Sequence, residues 1–325
     1  MGMLDQSAPP GNPDRYQWVG LQQKAAWHGF WTADKFSFDT DLIDLKRNMT
    51  PEEIQFALRS LAAVAQIEVK VKKFWAFLGM QIKDDVITGG AITMAGLEEI
   101  HNDAYKTLFR KAMLTAIMEK ALEVPAIAGR VNYLTKHSVP VYALNPAKQT
   151  AYSVILFTIF VEYVSLFVPF ANILRLNAER NVLKDTARQV KYTRNEETLH
   201  AMFGAGIIHE MRKEYPELFD AELEARVREE AMEAFKAECN LIDWMFEGYD
   251  SDPDHNADVM KNYVKERFNE GLEMIGYAPI FNVDSELSAK TFWMKVGVYA
   301  TPKVDFFNDD PASYTQGDTN NDDDF

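Results

Sequence analysis

The sequence predicts an all-α protein built as a helical bundle. Two observations carry this. No run alternates apolar and polar residues persistently with period two, so a substantial sheet is not expected. Long stretches instead repeat apolar residues at helical spacing, bracketed by helix start and stop signals.

Taken in order, residues 1–16 begin "MGMLDQSAPPGNPDR", polar and proline-rich, which reads as a loose arm with no secretory signal. Gln6 breaks the myristoylation pattern, which asks for Ser or Thr there. "TPEE" at 50–53 offers Thr50 as N-cap, Pro51 at the first helical position and Glu53 closing a capping box, so a helix is expected over 51–82. Gly89-Gly90 reads as a break, with a second helix over about 91–122. Pro140, Asn145 and Pro146 mark a connection. Further helices are expected over roughly 147–178, 182–214, 220–247 and 256–275, with turns at Tyr215-Pro216 and 249–256. Residues 302–325 carry seven Asp and one Lys, too little apolar area to offset ordering entropy, so this tail is expected to be disordered. The expected layout is an arm (1–16), one helical domain (17–301) and an acidic tail (302–325).

A hydrophobic fraction of 47% gives ample core. The net charge of −15 argues against nucleic-acid binding, which uses clustered Lys and Arg. A single cysteine, Cys239, excludes an intramolecular disulfide and points to a reducing, cytoplasmic setting. From Ala151 to Leu174 the only charge is Glu162. That run is long enough to span a bilayer. Its central Glu, the nearby Pro169 and the lack of a second such run favour a buried core helix and no membrane.

Glu98 stands three residues before His101, and Tyr105 four after it, so the three share one helix face. Such an acid–imidazole pair can grip one metal ion, and the spacing recurs at Glu197 and His200. The composition predicts about one acidic-x-x-His match by chance, and three occur, the third being Asp252 and His255. Context separates them. Glu68 lies on the apolar stripe Leu61, Val64, Ala65, Val71, Trp75, and Glu162 is alone in its uncharged run. A buried carboxylate must neutralise, pair or bind a metal. Ferritin-like bundles use two helices that give one Glu each and two that give Glu-x-x-His. The chain order is Glu68, Glu98/His101, Glu162, Glu197/His200, with room between partners for one helix to turn back beside the next. Six such ligands suit two transition-metal ions, iron or manganese, whose four charges the four carboxylates balance.

These residues resemble the small, radical-generating subunit of class I ribonucleotide reductase, from about Trp31 to Glu197 and beyond. The similarity covers all six ligands, Tyr105 at that family's radical-forming tyrosine, and "FWTADKFSFDTDL" around its tryptophan, here Trp31. Tyr314 resembles the tail tyrosine of the family, and "DDDF", ending in Phe325, its docking terminus. The resemblance implies an iron pair, a manganese–iron pair or a manganese pair. It implies a hole passed by His101, Glu196 and Trp31 toward Tyr314, and a large subunit where ribonucleotides are reduced. It also implies a homodimer, and leaves room for a flavoprotein activator. Glu68 and Glu196 both stand where the family often has Asp. Leu166, Phe167 and Phe170, at helical offsets from Glu162, are expected to wall the centre. The alternatives are another ferritin-like dimetal oxidase or monooxygenase, or an iron-storage protein.

Overall fold

A computed structural model describes residues 2–5, 15–116, 120, 123–249 and 253–299; the side chains at 66, 68–72 and 296–299 are outside that description, as are Asp252 and the tail with Tyr314 and Phe325. Among the described residues there are helices and turns and no strand. The main helices are α1 (Gln17–His28), α2 (Asp39–Ile43), α3 (Pro51–Gln81), α4 (Asp85–Lys111), α5 (Pro125–Leu134) and α6 (Pro146–Leu156). A π-helical segment (Phe157–Ser165) follows, then α7 (Phe167–Arg180), α8 (Lys184–Glu214), α9 (Ala221–Phe246), α10 (Ala257–Met274) and α11 (Ser285–Tyr299).

The bundle centre is α3 against α4 and the π segment with α7 against α8, the two pairs facing each other through α3–α7 and α4–α8 contacts. α1 lies across α4 and α8, while α9 and α10 cover the other side. The capping box forms: Thr50 Oγ1 accepts from Glu53 N at 3.3 Å and Glu53 Oε2 accepts from Thr50 N at 2.9 Å.

Three features depart from the sequence expectations. Gly89-Gly90 does not break the chain, because α4 starts at Asp85, where Asp84 Oδ1 accepts from Val86 N and Ile87 N. Gly90 marks a close approach: a Cβ there would overlap the Phe203 ring and Val19. α4 also stops at Lys111, well before residue 122, and Met113 takes a left-handed conformation (φ 57°). Lastly, within the expected arm, residues 2–5 are held against the bundle. Met3 is fully buried, its N–H donates to Glu214 Oε2 at 2.7 Å, and Lys83 N donates to Met3 O at 3.1 Å. These bonds satisfy both backbone groups of Met3.

Pro146–Arg180 is long and apolar enough to cross a membrane, with mean hydropathy 2.1 in its most apolar window, yet 94% of that window is buried inside the protein. It is a core element whose middle has slipped into π register. A π turn is wider than an α turn and uses room from its neighbours. Two glycines give that room: a Cβ on Gly204 of α8 would overlap Thr158, and one on Gly271 of α10 would lie 2.8 Å from Ile159 Cγ2.

Candidate metal centre

Three elements bring five candidate ligands together in the dry centre of the bundle. α4 supplies Glu98 and His101, the π segment Glu162, and α8 Glu197 and His200, all fully buried. The i, i+3 spacing puts each Glu beside its own His. Ligand atoms of Glu98, Glu162, Glu197 and His200 lie within 4.8 Å of one another.

The distances divide the cluster into two poles. Glu98 turns Oε2 to His101 Nδ1 (3.5 Å) and Oε1 to His200 Nδ1 (2.8 Å). Glu197 likewise turns Oε1 to His101 Nδ1 (3.1 Å) and Oε2 to His200 Nδ1 (3.2 Å). Both carboxylates therefore span the poles. Glu162 belongs to the His200 pole, with Oε2 3.8 Å from His200 Nδ1. Glu68 sits on α3, which packs along α4, but its side chain lies outside the described residues.

The residues fit a pair of cations. Both oxygens of Glu98, Oε2 of Glu162 and Oε1 of Glu197 are buried without a hydrogen bond of good geometry. Several nonetheless stand close to an imidazole, the crowding expected of ligands that converge on shared ions. Charge in this dry space moves every proton equilibrium. Burial, with the charges of Glu197 and Glu98, pushes the Glu162 carboxyl well above its ordinary value. Burial acts the same way on Glu197, but His101 and His200 outweigh it and hold that carboxyl well below the usual range. Burial alone would lower both imidazoles, yet the surrounding carboxylates raise His101 and His200 well above the ordinary histidine value. The excess negative charge behind these shifts is what divalent ions would offset. Carboxylate oxygen and imidazole nitrogen are the donors of iron and manganese sites.

One pole connects to a second layer. His101 Nε2 lies 2.7 Å from Glu196 Oε2, and Trp31 Nε1 donates to the same oxygen at 2.9 Å. With Nε2 held against Glu196, Nδ1 is the nitrogen turned toward Glu98 and Glu197, the one a metal would take once its proton is shed. Trp31 is buried, its ring 6.3 Å from that of His101 and 28° from parallel. Phe36 and Tyr192 pack around it. Tyr105 is buried one turn beyond His101, and its hydroxyl lies 3.5 Å from Thr193 Oγ1.

Sequence reasoning missed Trp75. Its indole N–H donates to Glu162 Oε1 at 2.8 Å, and its ring lies 6.1 Å from the His200 ring. The signal was present, since Trp75 shares the Glu68 stripe two helical turns on. Of the expected wall, Phe167 packs on Tyr163 and Phe170 and carries the Arg267 guanidinium 3.4 Å over its ring. The π segment changes the helical phase between Glu162 and Phe167. Around Trp75, the wall is made by Phe157 and Phe203. Of the third acidic-x-x-His match, His255 Nε2 is bonded to Asn172 Oδ1 at 2.9 Å, and Asp252 is outside the described residues.

Two Glu-x-x-His helices and a lone buried Glu meeting in one bundle define a dimetal-carboxylate helical protein. The sequence matches the family described as "Ribonucleotide reductase, small chain" over residues 11–288, and the chain belongs to that family. A probable ribonucleoside-diphosphate reductase small subunit of Invertebrate iridescent virus 3 is 27% identical over 175 residues, which is 52% of this chain and 44% of that relative. The chain thus matches less than half the length of that relative. The fold is similar to the R2 subunit of a Clostridium botulinum ribonucleotide reductase (TM-score 0.77, 16% identity, 87% of this chain and 89% of the other). It is also similar to dimanganese(II)-NrdF of Streptococcus sanguinis (TM-score 0.69, 14% identity, 90% and 99%).

Proposed function

We propose that this chain is the radical-generating subunit of a class I ribonucleotide reductase, acting with a separate large subunit that converts ribonucleotides to deoxyribonucleotides. The observation that carries this is the hydrogen-bonded path from His101 through Glu196 to Trp31. A storage site has no use for a buried indole wired to a ligand imidazole. Neither that reading nor another oxidase fits the family match as well.

Iron or manganese bound here would supply, with an oxygen-derived oxidant, the one-electron oxidising power. Glu98, His101, Glu162, Glu197 and His200 would hold the ions, with Glu68 as the sixth ligand. The chain's own residues manage protons and water. An electron leaving Trp31 makes its indole N–H strongly acidic, and Glu196 Oε2 is placed to hold that proton. Reversal returns it, so no proton needs to cross the apolar packing. Trp75, Phe157 and Phe203 exclude water beside Glu162. Tyr105 is proposed as the carrier of the stored hole, and Tyr314 as the relay toward the large subunit, which the acidic tail would dock.

A homodimer is supported by apolar side chains left exposed on α1, just after it, and on α4: Trp27 (60%), Phe30 (62%) and Ile92 (60%). A flavoprotein activator accompanies this proposal if manganese is the metal. The free thiol of Cys239 accords with a cytoplasmic setting. The test is reconstitution. The chain, loaded with iron or manganese and mixed with a class I large subunit, is expected to form deoxynucleotide and to do so only when both are present. Metal-loaded chain that supports no formation with large subunits of any class I subgroup would refute the reading.

A further inference from the structure

The π segment that carries Glu162 ends in a buried polar cluster that the centre itself does not use. Ser165, the last residue of the segment, bonds through its hydroxyl to Phe160 O, five residues back, and shares a short contact with the Tyr133 hydroxyl. Tyr133 donates to Glu238 Oε1 at 2.5 Å. The same oxygen accepts from Arg130 Nε at 2.9 Å, and Arg130 Nη1 donates to Ala63 O at 3.0 Å. All four side chains are buried. Arg130 and Tyr133 come from α5, Glu238 from α9, and Ala63 is on α3, five residues before Glu68.

A cluster like this is a poor source of stability. A dry ion pair seldom repays its desolvation, and apolar replacements are often as stable. Here Glu238 Oε2 and Arg130 Nη2 are also buried without a hydrogen bond, which adds to the cost. What the cluster does supply is direction. Burial and the Glu238 charge keep the proton on Tyr133, so the phenol stays a donor to Glu238. The single Ser165 proton is then shared between Tyr133 Oη and the Phe160 carbonyl. In an α-helix that carbonyl would belong to residue 164; in π register it belongs to residue 165. The Ser165 hydroxyl therefore reinforces the five-residue spacing, and Glu162 lies inside the turn so closed.

We propose that Arg130, Glu238, Tyr133 and Ser165 form a mount that fixes the register of the π segment and so sets where the Glu162 carboxylate stands relative to Glu98, Glu197 and His200. They are positioning residues; none is a ligand. Relaxing the segment to α register would turn Glu162 by one residue step, about 100° around the helix, away from the other ligands. This inference rests on the reading of Glu162 as a metal ligand.

The test is Mn(II) titration of the metal-free full chain, followed by calorimetry and paramagnetic resonance, for wild type, Glu162→Gln, Tyr133→Phe, Ser165→Ala and Ser165→Thr. Wild type is expected to take two ions and Glu162→Gln to weaken one of them. Tyr133→Phe and Ser165→Ala should weaken that same ion about tenfold, leave the other unchanged and lower the metal-free melting temperature only slightly. Ser165→Thr keeps the hydroxyl and should bind as wild type does. If Glu162→Gln loses an ion while Tyr133→Phe and Ser165→Ala bind both normally, the mount is refuted and the metal reading survives. Loss of both ions in step with the melting temperature also refutes it, since the cluster would then be structural only. Wild type that binds no Mn(II), or Glu162→Gln that binds like wild type, overturns the metal reading and the mount with it.

Discussion

Glu196 Oε2 sits where two donors meet, the indole N–H of Trp31 and the Nε2 of His101. The account gives each a separable consequence. Trp31→Phe keeps the aromatic volume and removes the redox-active indole. Turnover with the large subunit should fall at least about a hundredfold, while metal content stays at the wild-type value. A variant with unchanged turnover would remove Trp31 from the path. The second prediction at this scale concerns protons. In the metal-free chain, His101, His200 and Glu162 all titrate above their ordinary values of 6.5 and 4.5. Raised groups lend stability below their unfolded values and lose it as pH rises toward their folded ones. Metal ligands must shed those protons, so binding should release protons. Calorimetry in buffers of different ionisation enthalpy measures this directly. The melting temperature gained on metal loading should widen from pH 6 to pH 8. A gain that shrinks over that range would contradict the proton assignment.

At the scale of elements, the π segment is the feature on which the geometry turns. Gly204 gives it room, so Gly204→Ala should force Thr158 away and destabilise the fold by about 1–3 kcal/mol, read as a lower melting temperature. An unchanged melting temperature would mean the segment has slack. How much of this was legible varies with the kind of signal. Thr50 and Glu53 make a local bargain across three residues, so sequence alone shows the capping box. Glu98/His101 and Glu197/His200 are visible for the same reason, because helix geometry alone makes them neighbours. Gly90 misleads, since its reason is the Phe203 ring on a helix more than a hundred residues away. The π register is hidden similarly: it depends on α8 and α10 and on a cluster drawn from α5 and α9, none of which local periodicity reports. Trp75 lies between these cases, placed on the right stripe by spacing but given its partner Glu162 only by the fold.

The whole molecule brings together what no single helix can hold. Four buried carboxyl groups near the centre, counting Glu196, would be untenable without cations or protons. Helices arranged two against two share that cost among Glu98, Glu162, Glu197 and both imidazoles. The same arrangement leaves Trp27 of α1, Phe30 just after it and Ile92 of α4 exposed. Trp27→Lys together with Phe30→Glu should convert the proposed homodimer to monomer, as measured by analytical ultracentrifugation. A wild-type chain that sediments as a monomer at micromolar concentration would refute that interface. The central claim is the ion pair itself. Anomalous X-ray diffraction at the iron and manganese edges, on crystals of metal-loaded chain, should show two peaks, one beside His101 and one beside Glu162 and His200, with Glu98 and Glu197 between them. A single peak, peaks elsewhere, or no anomalous density at all among these five residues would contradict the account.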